Sequence, residues 1–303
     1  NVQTTTGAFV GNFNWGPVQQ ATLVSDESVL AETFGSPDSS NTIDFHSAAY
    51  FLRYANTMQV VREVTTAAFN AHDSDAGSGA GSVNAITVLV KNRDNWDDQI
   101  AAANTADHTF VAKWPGNLGN SLKISVLPAD SGGGSTIFDG WAYKGSFDGA
   151  PSTSTFVRNK TDALKSTTNI PEIYGGDEVH VAIIDENGVF GGTKGAVLET
   201  FPYLSLALGA QNADGSTNFI KDVINNSSEY VWMAGFGDAL KFSDLAGTTA
   251  DSGDSYIQRT KSGGQTGEGP RVVDIALTNG VNSGALTPTQ FATGFDKFED
   301  ADT

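Results

Sequence analysis

Apolar and polar residues alternate in Gly7-Ala8-Phe9-Val10-Gly11-Asn12-Phe13-Asn14, a period of two that predicts a β-strand. Trp15-Gly16-Pro17 bends or ends it. The period then lengthens. Val29, Leu30 and Phe34 share one side of a short helix that Ser25 or Asp26 can cap and Gly35 can stop. A second helix is predicted over 42–55, with Ile43, Ser47, Tyr50, Phe51 and Tyr54 on one stripe facing the interior and Asn56 ending it. Residues 58–64 read as a strand, so the first 65 residues run strand, helix, helix, strand, an α/β order.

Residues 65–82, TTAAFNAHDSDAGSGAGS, lose the apolar pattern and have the composition of a flexible connector. Beyond it the pattern predicts strands at 85–90, 110–114 and 122–127 and a helix near 95–103. Pro115-Gly116 and Gly119-Asn120 supply turns before the strand at 122. From 131 to 200 the signals are mostly β: a Gly-rich loop at 131–135, a strand at 154–158 and a hairpin. In that hairpin 179–184 turns through Asp185-Glu186-Asn187-Gly188 directly into Val189-Phe190. A helix at 216–225 leads into a strand at 230–234, and 243–270 reads as a long surface loop. Thr287-Pro288-Thr289-Gln290 is a capping box that opens a helix over 288–299. Phe291, Phe295 and Phe298 face one way along it.

Composition narrows the chemistry. The 303 residues, 39% of them hydrophobic, can fill a sizeable core. Seventeen basic against 35 acidic residues, net −18, oppose binding to nucleic acid or an anionic membrane. There is no cysteine, hence no disulfide framework, and no apolar run of membrane-spanning length or leader pattern. The numbering opens on Asn1-Val2-Gln3 without a Met, which reads as a fragment or a processed product.

Sites of reaction are not expected. His46, His72, His108 and His180 lack metal-ligand spacing. Asp73 and Asp75 lie in a stretch loosely like a calcium loop that lacks its glycine and terminal acid. Gly132–Gly134 and GGTKG at 191–195 are not phosphate loops. Asn159-Lys-Thr161 and Asn226-Ser-Ser228 match the glycosylation sequon by chance. Phe13, Trp15, Phe51, Trp114 and Phe291 are expected as core. No catalytic, cofactor-binding or metal residue is assigned, no cofactor is expected, and the chain reads as a non-enzyme.

Five blocks in order carry a resemblance. They are TTGAFVGNFNWGPVQQATLVSDESVLAETFGSP, SAAYFLRYANTMQVVREV, FVAKWPGNLGNSLKISV, SSEYVWMAGF and GVNSGALTPTQFATGFDKFEDAD. Together they resemble the contractile tail sheath proteins of T4-like bacteriophages. The resemblance implies a fragment without the terminal arms, the C-terminal domain or a large outer domain after Val64. It implies an α+β chain: a partial mixed sheath core domain of residues 1–66 and 271–303, a linker at 67–82, and an inserted β-rich outer domain with flanking helices at 83–270.

The implied function is mechanical. Copies form hexameric rings around a tail tube and contract to drive the tube through the host envelope, with tail tube and baseplate proteins as partners of the full-length protein. No nucleic acid is bound and no membrane entered. The place is the virion, after assembly in the bacterial cytoplasm. The alternatives are the sheath of a phage-derived injection system, tailocin or secretion system, and a secreted carbohydrate-binding or adhesion module. Alone, the chain is expected to be monomeric or weakly associated.

Overall fold

A computed structural model describes residues 6–55, 57–73, 88–99, 109–129, 136–151, 178–206, 210–234 and 272–299. The expected strand at 154–158, the loops at 131–135 and 243–270, His108, Asp75 and the sequon at Asn159 lie outside the described residues.

The opening segment builds a small sheet of three strands. β1 (Gly7–Gly11) is followed by β2 (Thr22–Val24), α1 (Glu27–Phe34), α2 (Thr42–Leu52) and β3 (Met58–Arg62). The order is β1-β3-β2, with β1 parallel and β2 antiparallel to β3. β1 stops earlier than the alternation suggested because the Asn12 N–H turns to the Asp44 carboxylate at 2.8 Å instead of a strand. Asp26 is the cap of α1, accepting the N–H groups of Ser28 and Val29 at 2.9 and 3.0 Å.

The stripe expected to be the inner side of α2 is mostly its outer side. Ile43 is 81% exposed, Tyr50 59% and Tyr54 93%, and only Phe51 of the large residues is half-buried. Phe45, Ala48, Ala49 and Leu52 pack inward with Phe13, Leu30, Phe34 and Met58. Both sides of this helix are apolar, so periodicity finds the helix but not its inward side. Two alanines let the backbone approach closely, which the tyrosines would prevent.

The second sheet has seven strands: β4 (His72–Asp73), β5 (Phe110–Ala112), β6 (Leu122–Pro128), β7 (Glu178–Asp185), β8 (Ala196–Ser205), β9 (Val231–Met233) and β10 (Val273–Thr278). Their order is β8-β7-β6-β10-β4-β5-β9, and each neighbouring pair is antiparallel. Helices α3 (Arg93–Gln99), α4 (Thr136–Gly140) and α5 (Ile220–Ser227) accompany it. Its largest core cluster includes Phe110, Ile124, Val181, Ile183, Phe219 and Leu277, and Trp15 reaches into it from the N-terminal segment. The whole is the expected mixed α/β class.

Three segments differ from the sequence reading. Residues 68–73, within the stretch expected as a flexible connector, are largely interior: Ala68, Asn70 and Ala71 are fully buried. Small residues are needed there because chain segments cross closely, and Asn70 donates to the carbonyls of Val90 and Ala112 while accepting the Val90 N–H. β10, expected beside the N-terminal part, sits between β6 and β4, whereas α6 (Pro288–Asp296) packs on β1 and β3. The hairpin after β7 is not tight: residues 186–195 form a loop before β8. Asp185 causes this. Its carboxylate accepts the N–H groups of Gly188, Val189, Phe190 and Gly191 at 2.8 to 3.1 Å, so these donors are taken from any returning strand.

Candidate functional site: the seam between the sheets

The place where the two sheets meet is built around Arg62, the last residue of β3, which is fully buried. Its Nε donates to the Phe13 carbonyl at 2.7 Å, Nη1 to Gly16 at 2.8 Å and Nη2 to Pro115 at 2.6 Å. One guanidinium thereby ties the turn after β1 to the turn before β6. Burial pulls its pKa down to about 9, which leaves it charged at neutral pH. Charge-assisted bonds to three carbonyls replace the water it has lost.

The rest of the seam is backbone and amide. Gly116 has φ +137°, and a Cβ there would lie 2.7 Å from the Asn14 carbonyl oxygen. Asn120 exchanges two hydrogen bonds with the backbone of Gly280, at 2.9 and 2.7 Å. Asn282 accepts the Asn117 N–H at 2.8 Å, Ser283 that of Thr65 at 2.8 Å, and Phe69 and Val281 pair in both directions. The segment 279–284 thus sews the end of β10 to both sheets.

An open cleft of about 690 Å³ lies along the seam, with Trp15, Pro17, Trp114, Phe190 and Tyr230 among its walls and Lys113 at its side. The Lys113 ammonium sits 3.3 Å from the centre of the Trp232 ring, and Trp96 stacks on Trp232 at 4.9 Å. Burial lowers Lys113 to about 8. Glu199 is raised by burial and accepts from the Ser228 hydroxyl and the Glu229 N–H at 2.7 and 2.8 Å. These contacts satisfy groups within the wall and align no nucleophile with a base.

The histidines are scattered. His180 is buried in an aromatic box, stacked on Phe147 at 4.6 Å, with one ring nitrogen on the Gly149 carbonyl and the other accepting the Tyr203 N–H. Burial lowers its pKa. His46 is exposed on α2, and His72 is buried in β4. Asp73 is not in a mobile loop: it is buried and accepts the Thr109 N–H with both oxygens, at 3.0 and 2.9 Å. The GGTKG run belongs to the loop folded on Asp185. Among the described residues no three His, Cys, Asp or Glu side chains are grouped to hold a metal ion, and no helix is long and apolar enough to cross a membrane. Of the aromatics expected as core, Phe13 and Trp15 are buried, while Phe51, Trp114 and Phe291 are half-buried. The Arg62 clamp was not legible beforehand, since its three acceptors are backbone carbonyls.

Among the described residues the best-built region of this α/β chain is the seam between its two sheets. Over 81% of its length the chain is 24% identical to the tail sheath protein of Salmonella phage ViI. Shorter matches are to the tail sheath proteins of Enterobacteria phage T4, 44% over 21% of the chain, and Vibrio phage KVP40, 37% over 25%. These matches make the chain a homologue of phage tail sheath proteins. It spans 48% of the length of the phage ViI protein and 10% and 12% of the other two. No family model matches. Among solved structures it is similar to the sheath tail protein of Listeria innocua, with 12% identity, TM-score 0.42, covering 99% of this chain and 39% of that one. A sheath tail protein of Desulfitobacterium hafniense follows at 13% identity and TM-score 0.36, covering 97% and 39%.

Proposed function

We propose that the chain is part of a subunit of a phage contractile tail sheath. Copies polymerise in hexameric rings around the tail tube, above the baseplate, in the bacterial cytoplasm. They then contract and drive the tube through the host envelope. The observation that carries this reading is the similarity to a tail sheath protein along 81% of the chain. The seam supports it physically. A subunit that transmits force by shifting against its neighbours must not yield internally. Arg62, by buried hydrogen bonds, and the 279–284 segment, by partly buried ones, hold the two sheets together. The event it performs is a change of lattice rather than a chemical turnover.

The test is to purify tailed virions of the source phage and locate the protein by peptide mass spectrometry and by antibody labelling in electron micrographs. Labelling along the tail shaft, shortened after contraction is triggered, is the expected result. Absence from the virion, or labelling of fibres alone, overturns the sheath reading.

A further inference from the structure

Two asparagines in the chain are followed by glycine, Asn187-Gly188 and Asn279-Gly280. Such a pair is prone to react with itself. Glycine has no side chain to fend off the neighbouring amide, and its backbone is free to take the shape that brings its nitrogen to the asparagine Cγ. Both asparagines are exposed, and among the described residues neither side-chain amide has a hydrogen-bond partner. The glycine nitrogens are different. The Gly188 N–H donates to the Asp185 carboxylate at 2.9 Å, and the Gly280 N–H donates to the Asn120 side-chain oxygen at 2.7 Å. Asn120 also donates to the Gly280 carbonyl at 2.9 Å. A Cβ at Gly280 would lie 2.4 Å from the Gly116 oxygen, so the backbone there is held in close contact and has little room to turn.

We propose that Asn187 and Asn279 are latent self-modification sites, each held unreacted by the side chain that takes the following glycine's N–H: Asp185 for the first and Asn120 for the second. The step needs only water as co-reactant. The glycine nitrogen gives up its proton to solvent and bonds to the asparagine Cγ; the Cγ–Nδ2 bond breaks, and that nitrogen leaves as ammonia with a proton from solvent. Water then opens the five-membered imide at either carbonyl, leaving Asp or an isoaspartyl link, with no change of oxidation state. A nitrogen whose proton is held by an acceptor neither loses that proton nor turns towards Cγ, so the hydrogen bond must open first. The native rate is therefore the rate of the unfolded chain scaled by the fraction of time the bond is open. At position 279 the product bears on the fold. An isoaspartyl link lengthens the main chain by one carbon and adds a carboxylate at the start of the segment that ties β10 to both sheets. A seam that opens and reacts there does not close again in the same register. The inference uses the geometry of the seam and of the loop after β7 alone, and stands apart from the sheath reading.

The experiment incubates the 303-residue chain at mildly alkaline pH, native and in denaturant, and follows the amide-to-acid mass gain and the isoaspartate in the peptides around 187 and 279. In the native wild type both sites react at least about tenfold more slowly than in denaturant. Asn120→Ala, with unchanged circular dichroism, speeds the native reaction at 279 about tenfold and leaves 187 as it was. Asp185→Ala does the reverse, speeding 187 and leaving 279. Equal rates in the native and denatured wild type at either site overturn the proposal without recourse to a variant. Variants that change neither rate, or that speed both sites together, overturn it as well.

Discussion

At the scale of single residues, Arg62 is the clearest case of a side chain whose loss the fold cannot absorb. Arg62→Met removes three charge-assisted bonds and strands the carbonyls of Phe13, Gly16 and Pro115 in the interior. The expected cost is about 3–5 kcal/mol, read as a lower urea midpoint. Gly116→Ala should cost about 1–3 kcal/mol in the same assay, because φ +137° and the Asn14 oxygen at 2.7 Å both oppose a Cβ. His180 makes a prediction in pH. Its folded pKa lies below the ordinary 6.5 because burial penalises the cation. The unfolded chain therefore binds the proton first, and stability falls as pH drops below 6.5 towards the folded value. Melting curves at pH 7.5 and 5.5 should show a larger loss for the wild type than for His180→Phe, with the carboxylates cancelling in the comparison. Equal losses would mean that the ring is not held neutral.

Elements were more legible than their surroundings. Asp26, one of the two expected caps, and the capping box of Thr287 and Gln290 are where local pattern put them, and the strand expected at 122–127 runs one residue further, to Pro128. Local rules suffice there because the partners lie within a few residues. The loop after β7 was misread because its organiser is a carboxylate accepting from four backbone N–H groups, not a turn dipeptide. Asp185→Ala should therefore free that loop. The expected signs are proteolytic cleavage within 186–195 and a loss of about 2–3 kcal/mol. α6 gives a parallel case. The three phenylalanines predicted its buried side, yet Phe295 is 53% exposed and Gly294 is the residue pressed on Val10 and Glu63. The helix docks by its smallest residue, a close approach that hydrophobic periodicity cannot register.

For the whole molecule, charge sets the prediction. At −18, copies repel until salt screens them, over about 10 Å at 0.1 M and 3 Å at 1 M. Self-association followed by light scattering should rise between low and high salt, and an unchanged or falling signal would rule out charge as the restraint. The sequence by itself determined the α/β class, most helices and strands, the acidic character and, through five ordered blocks, the kinship with tail sheath proteins. All of these depend on residues near one another in the chain or on composition. Only the tertiary structure decided that β10 enters the large sheet between β6 and β4, that 68–73 is largely interior, and that Arg62 joins the sheets. It also turned Tyr50 and Tyr54 outward. Those outcomes depend on contacts between distant segments, where packing volume and buried backbone polar groups choose among arrangements that local preference leaves equal.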